Sequence, residues 1–118
     1  MERTKPYDLA DRTFEFAESV RAFVKKLSKT ISNIEDIRQL VRASGSVGAN
    51  YIEANESLSK KDKLMRMKIC RKEAKESSYW LRLVDINNNS ALDIERKTLI
   101  QEANELTNIF GSIILKLK

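Results

Sequence analysis

Apolar residues recur along the chain at steps of three and four, the spacing that places side chains on one face of an α-helix. Four such stretches follow one another, with short polar segments between them. The pattern predicts four helices, over roughly residues 8–28, 33–57, 60–87 and 91–117. The stripe of the first predicted helix consists of Leu9, Thr13, Phe16, Val20, Phe23 and Leu27.

The second predicted helix carries small residues on its apolar face. Ser44 and Gly48 lie in phase with that face, within the sequence ASGSVGA. Two shorter helices separated by a break are an alternative, because each glycine costs a helix about 1 kcal/mol relative to alanine. Since the phase continues through Gly45 and Gly48, we expect one uninterrupted helix that a neighbouring helix approaches closely.

Residues that favour helix N-termini precede each stretch, because a short polar side chain accepts a hydrogen bond from a free backbone N–H group. The connections are short, so successive helices run in opposite directions. With three glycines and one proline in 118 residues, we expect an all-α protein, an antiparallel up-down-up-down four-helix bundle that forms one domain over residues 1–118. The expected caps are Asp8 or Asp11, Ser32 or Asn33, Ser59 paired with Asp62, and Ser90.

The positive charge of the chain is concentrated in the third predicted helix. The segment from Ser59 to Leu83 holds nine lysines and arginines against three acidic residues, whereas the whole chain has a net charge of +5. Cations on one helix face can neutralise several phosphates and give salt-dependent affinity for nucleic acid. A solvated helix face, partly paired through Lys72 and Glu76, is the alternative. The candidate nucleic-acid contacts are Lys60, Lys61, Lys63, Lys68, Arg71, Lys72 and Lys75.

The composition argues against catalysis and metal binding. Histidine is absent and Cys70 is the only cysteine, so a zinc or di-iron site, an internal disulfide and a cysteine–histidine nucleophile are not expected. The sequence GSVG lacks the lysine of a phosphate-binding loop. We therefore expect no catalytic residue, no metal and no cofactor, in a protein that is not an enzyme.

The chain also lacks the sequence features of membrane or secreted proteins. No apolar stretch reaches the roughly 20 residues that span a bilayer. The first residues, MERTKPYDLADRTF, lack the apolar region of a signal peptide. A single cysteine fits a reducing compartment, so we expect a cytoplasmic protein without membrane association.

Polar and aromatic residues beside the basic run have two interpretations. Asn50, Glu53 and Glu76 fit a polar network that fixes the register of neighbouring helices or subunits. Trp80 fits packing in the core or at a subunit interface. In the alternative, Tyr79 and Trp80 stack on unpaired bases, as single-strand-binding proteins require.

The segment SVGANYIEANESLSKKD, followed by KICRKEAKESSYWLRLV, resembles the four-helix bundle family encoded in intervening sequences of bacterial 23S ribosomal RNA genes. The resemblance rests on order and spacing, beginning with Asn50 three residues before Glu53. A basic start to the third helix, an acidic pair and an aromatic–leucine end follow. These positions are Lys60, Lys61, Glu73, Glu76, Tyr79, Trp80 and Leu81.

The resemblance implies a compact bundle that assembles into a ring-like homopentamer. Through a fold relative, the accessory variability protein of diversity-generating retroelements, it also implies contact with nucleic acid and a reverse transcriptase through a basic surface. We therefore expect a non-enzymatic, self-assembling protein that binds RNA or DNA through the third helix. The alternative is a structural or protein–protein adaptor that docks a partner on the fourth helix. Its docking stripe would be Ile100, Leu106, Ile109, Phe110 and Ile113.

Overall fold

The structure, a computed structural model, describes residues 8–118, in which long helices are joined by short connections. No β-strand occurs in this range, which confirms the all-α four-helix fold predicted from the apolar pattern. The first seven residues of the expected domain lie outside the described residues. The helices are α1 Leu9–Val24, α2 Ile31–Asn55, α3 Lys60–Leu83 and α4 Ser90–Leu117.

Two of the four predicted N-caps are confirmed. The Asp8 side chain accepts a hydrogen bond from the backbone two residues on at 2.9 Å, and Ser59 accepts one from Asp62 at 3.0 Å. The other two predictions are wrong by one to three residues. The cap of α2 is Thr30, and the cap of α4 is Asn89.

Asn33, expected as a cap, instead closes one end of the bundle. Its amide nitrogen donates to the carbonyls of Ser28 at 3.0 Å and Asp85 at 2.9 Å, and its amide oxygen accepts from the Asp85 N–H at 2.8 Å. The side chain is buried, and these three bonds satisfy its polar atoms. One residue thus ties the α1–α2 connection to the segment that follows α3.

All four helices have bounds that differ from the prediction, α4 only by beginning one residue earlier. α1 ends four residues early because the N–H groups of Lys26 and Leu27 bond to carbonyls three residues back, which tightens and closes the last turn. α3 also ends four residues early, at Leu83, and Asn87 and Asn88 beyond it adopt φ values of 54° and 59°. The helix ends because the next residue, Val84, is extended with ψ 142°, and the left-handed pair that follows prevents the helix from resuming. α2 begins and ends two residues earlier than predicted.

The helices follow one another around the bundle in chain order. α1 and α3 each pack against both α2 and α4, whereas the backbones of the two diagonal pairs do not approach each other within residues 8–118. Arg12 near the start of α1 meets Glu102 near the middle of α4, and Lys26 just after α1 meets Glu95 near the start of α4. These crossed positions show that the two helices are antiparallel.

α2 runs without a break through Gly45 and Gly48, as predicted. A Cβ atom placed on Gly48 would lie 3.0 Å from the hydroxyl oxygen of Thr13 in α1. The glycine therefore permits the close approach of α1 and α2. Large apolar side chains that are fully buried fill the centre of the bundle: Val20, Phe23, Leu40, Val47, Leu81, Leu106 and Phe110.

Candidate nucleic-acid interface

The seven cations predicted to contact nucleic acid form a row along α3. Six of them are exposed and Lys63 is half-buried. A rise of about 1.5 Å per residue separates Lys60 from Lys75 by roughly 22 Å along the helix axis. None of the seven forms an ion pair with a carboxylate of residues 8–118. The row is therefore a stretch of uncompensated positive charge on an accessible helix.

The local pair that would have neutralised part of this row does not form. The alternative of a solvated helix face included a Lys72–Glu76 pair at i,i+4, but Glu76 instead lies 3.4 Å from the guanidinium of Arg42 in α2. The same guanidinium lies 3.3 Å from the buried carboxylate of Glu73. Arg42 thus draws both mid-helix carboxylates of α3 towards α2, and the α3 cations towards α4 keep their charge uncompensated.

The cations in the middle of α3 line a depression against α4. Lys68, Arg71, Lys72 and Lys75 surround a volume of about 210 Å³ together with Ile114. The Arg71 side chain passes over α4 at Gly111, where an added Cβ atom would lie 3.7 Å from Nε.

A second depression continues the first towards the end of α3 and shares Lys75 with it. Ser78, Tyr79 and Arg82 line it on α3. We call the two together the α3–α4 groove. Its lining residues are Lys68, Arg71, Lys72, Lys75, Ser78, Tyr79 and Arg82 on α3, and Asn104, Thr107, Asn108 and Ile114 on α4.

Sequence reasoning missed several groove residues as site residues, and three of these carry a charge or an amide: Arg82, Asn104 and Asn108. Arg82 lies seven residues after Lys75 and so shares its helix face, a spacing that was available in the sequence. Asn104 and Asn108 are one turn apart on α4, and only the packing of α4 against α3 brings them to the groove. By contrast, Lys60, Lys61 and Lys63 lie beyond the groove, near the start of α3.

Two of the three polar residues expected to hold the bundle or a subunit contact link α2 to α3, and the third does not. Asn50 accepts a hydrogen bond from Arg66 at 3.1 Å and donates to the Ser46 carbonyl at 2.9 Å, so it links α2 to α3. Glu76 links the same helices through Arg42. The Glu53 side chain is exposed and makes no such link among the described residues, so its role at a subunit contact stays a prediction.

The two neighbouring aromatic residues of α3 have different environments. Trp80 is half-buried and packs against the core, and its indole N–H is buried without an acceptor in the described chain. Tyr79 is 53% exposed and meets the Trp80 ring edge-on, with the ring centroids 5.0 Å apart. Trp80 therefore fits the packing interpretation, whereas Tyr79 presents its ring at the rim of the α3–α4 groove.

The described residues offer little for covalent or metal chemistry. Burial raises the pKa of the Cys70 thiol to about 12, which keeps it protonated and unreactive. Between residues 8 and 118, no cluster of cysteine, aspartate and glutamate side chains is arranged to hold a metal ion. None of the four helices has the length and apolar composition that crossing a membrane requires.

The stripe of α4 expected to dock a protein partner is largely internal. Leu106 and Phe110 are fully buried, and the Phe110 ring contacts that of Tyr51 with centroids 6.0 Å apart. Ile100 and Ile113 are partly buried against the same core. The breadth of the stripe reflects contact with several helices of the same chain, which corrects the expectation of a free apolar face.

Comparisons with known proteins agree with this architecture. A sequence model of the family described as "23S rRNA-intervening sequence protein" matches residues 5–112. The chain is also similar to a crystal structure of a protein of unknown function from the S23 ribosomal protein family of Bacteroides thetaiotaomicron VPI-5482. The two are 28% identical, with a TM-score of 0.78, over 91% of this chain and 98% of the other. No curated protein matches the chain.

Proposed function

The chain belongs to the 23S rRNA-intervening sequence protein family, and on this premise we propose that it is a non-enzymatic, self-assembling protein that binds nucleic acid through α3. The observation that carries the proposal is the row of seven α3 cations that have no carboxylate partner within residues 8–118. Phosphates would supply the missing negative charge, and the release of their counterions would drive binding.

Self-assembly is supported by the end of the bundle where α3 stops. Leu83 is 48% exposed and Ile34 is 42% exposed, and both lie near Asn33, which links α2 to the segment after α3. A second copy that covers this end would bury the apolar area of Leu83 and Ile34. Repetition of the α3 cations in each subunit would strengthen binding through avidity.

Salt dependence of binding tests the nucleic-acid role. Binding of labelled RNA and DNA oligonucleotides is measured at several salt concentrations for the wild type and for the variant Lys68→Gln, Lys72→Gln, Lys75→Gln. The matched control is Arg21→Gln, Lys25→Gln, Lys26→Gln, which removes the same charge from the end of α1, diagonal to α3. Circular dichroism checks that both variants keep their helices.

The proposal predicts that the α3 variant loses at least roughly tenfold in affinity and that its salt slope falls by about 2 to 3, because three phosphate contacts are gone. The α1 variant should bind nearly as the wild type does. Equal losses in the two variants would show that only net charge matters. Undetectable binding at low salt, with one protein partner recovered in a pull-down instead, would favour the adaptor alternative.

Light scattering tests the assembly. A mass several times 13.6 kDa is expected, and the substitution Leu83→Glu should shift it towards the monomer by placing charge in the buried contact. A monomeric wild type at micromolar concentration would contradict self-assembly and would remove the avidity contribution.

A further inference from the structure

We infer that the α3–α4 groove binds a single strand of nucleic acid with unpaired bases, in preference to a duplex. This inference rests on the proposed function and names the form of nucleic acid that the groove fits. It draws on features that a simple cationic patch lacks: two walls of different chemistry and an exposed aromatic ring at the rim.

The α3 wall supplies the positive charge for the backbone of the strand. Lys68, Arg71, Lys72, Lys75 and Arg82 follow one another along it. The distance from Lys68 to Arg82 is about 21 Å along the helix axis. That length corresponds to about six nucleotides at the 3.4 Å rise of one strand in a duplex, and to fewer when the strand is extended.

The α4 wall is neutral and carries amides. Asn104 and Asn108 are exposed, and their side chains make no hydrogen bond to any of residues 8–118. Each amide offers both donors and an acceptor, the combination that pairs with the edges of unpaired bases. The carboxylates nearest in sequence, Glu102 and Glu105, face Arg12 on the other side of α4 and so do not repel a strand in the groove.

Tyr79 supplies a surface on which a base can stack. Its ring is half exposed, and the edge-on contact with Trp80, which is itself packed on the core, holds it in place. Stacking on an aromatic ring needs an unpaired base and tolerates any base identity. In a duplex the bases are stacked on one another and paired, so only the phosphates would meet the protein, and Tyr79, Asn104 and Asn108 would contribute little.

The test compares an unstructured RNA of about 12 nucleotides with a duplex of the same sequence, within the range of single-strand site sizes. Affinities of the full chain are measured by fluorescence anisotropy at one salt concentration, for the wild type and for Tyr79→Leu. The matched control is Phe14→Leu, because Phe14 is a 65% exposed aromatic residue on α1. The variant Asn104→Ala, Asn108→Ala examines the opposite wall.

The wild type should bind the single strand at least roughly tenfold more tightly than the duplex. Tyr79→Leu should weaken single-strand binding by roughly 5- to 100-fold, as loss of one stacked base does, and should leave duplex binding unchanged. Tyr79→Phe should restore the affinity, and Phe14→Leu should have no effect. The double asparagine variant should also weaken only the single-strand complex.

Equal affinity for strand and duplex, together with a Tyr79→Leu variant that binds as the wild type does, would overturn the inference. The proposed function would still stand if the lysine triple variant lost binding in the same assay. Binding that is insensitive to the lysine substitutions would overturn the proposed function itself. The Tyr79 variant therefore tests the single-strand inference, and the lysine variant tests the proposed function.

Discussion

The two flanks of α4 differ in what they offer to the cations of the neighbouring helix. On the flank towards α1, Arg12 forms a forked pair with Glu102 at 2.8 Å and reaches Glu105 at 2.8 Å. On the flank towards α3, the cations Lys75 and Arg82 share a depression with Asn104 and Asn108, which carry no charge. α4 thus directs carboxylates to one neighbour and amides to the other.

The difference separates charges that stabilise the fold from charges that are available to a partner. The hydrogen bond to Glu102 is the main cause that raises the pKa of Arg12 above its ordinary value, which is the signature of a cation already satisfied within the chain. The α1–α4 flank encloses a groove of about 540 Å³, larger than the basic depression on the other side. Choosing the binding site by groove volume alone would point to the α1–α4 flank, although the charges that line it are paired within the chain.

The largest expected effect comes from a substitution in the core of α4, which supports both flanks. Phe110 is fully buried at the centre of α4, so Phe110→Ala should lower the free energy of unfolding by about 3–5 kcal/mol. Urea unfolding followed by circular dichroism measures the loss. Leu115→Ala, at a residue that is 73% exposed, should stay within about 0.5 kcal/mol of the wild type. A loss below 1 kcal/mol for Phe110→Ala would contradict the core described above.

A matched pair of substitutions sharpens the contrast between paired and unpaired cations. Arg12→Met should cost about 1–2 kcal/mol, because a partly buried forked pair is lost while the apolar stem is kept. Lys72→Met should change stability by less than about 0.5 kcal/mol, because no ion pair of Lys72 exists within residues 8–118. Denaturant midpoints give both values. Similar losses at the two positions would mean that the flanks do not differ as described.

Alanine substitutions at two glycines compare how closely α4 and α2 are approached by their neighbouring helices. Gly111→Ala should stabilise the chain by up to about 1 kcal/mol, because alanine favours the helix and the new Cβ meets only the flexible Arg71 side chain at 3.7 Å. Gly48→Ala should lower stability by about 1 kcal/mol despite the same gain, because its Cβ meets the buried Thr13. Thermal unfolding compares them, and equal signs would contradict the tight α1–α2 contact.

The smallest expected effect is the pH dependence of the paired flank. Hydrogen bonds from Gln101 and then Arg12 lower the pKa of Glu105. A carboxylate whose pKa is lower in the folded state stabilises the fold above its ordinary pKa, and this contribution disappears as the pH falls through the folded value. Stability should therefore fall below about pH 4.3, and by less in Arg12→Met. Between pH 6 and pH 3, the melting temperature of the α3 lysine triple variant should change by as much as that of the wild type. A different change would indicate that these lysines lie near titrating carboxylates.

The sequence predicted what depends on neighbouring residues. The apolar period gave four helices, and the Ser59 cap was found because cap and partner are three residues apart. The role of Asn33 was missed because it depends on Asp85, which is 52 residues away. The Lys72–Glu76 pair of the alternative interpretation follows from local spacing, but Glu76 pairs with Arg42 of another helix instead.

In the candidate site, too, the features set by local sequence could be predicted and those set by tertiary packing could not. The exposure of Lys68, Lys72 and Lys75 could be predicted from their phase on the helix, since they lie off the line of Leu64, Met67 and Leu81. The α4 wall could not, because Asn104 and Asn108 acquire their place only when α4 packs beside α3. A sequence pattern shows which side of a helix is polar, and tertiary packing decides what that side faces.

Lysine footprinting tests the central claim most directly. The chain is acetylated with a limiting reagent in the presence and absence of the unstructured RNA, and the modification of each lysine is measured by mass spectrometry. Lys68, Lys72 and Lys75 should be protected, while Lys25 and Lys26 at the end of α1 should react as in the free protein. Protection spread evenly over all lysines, or concentrated on α1, would contradict the account.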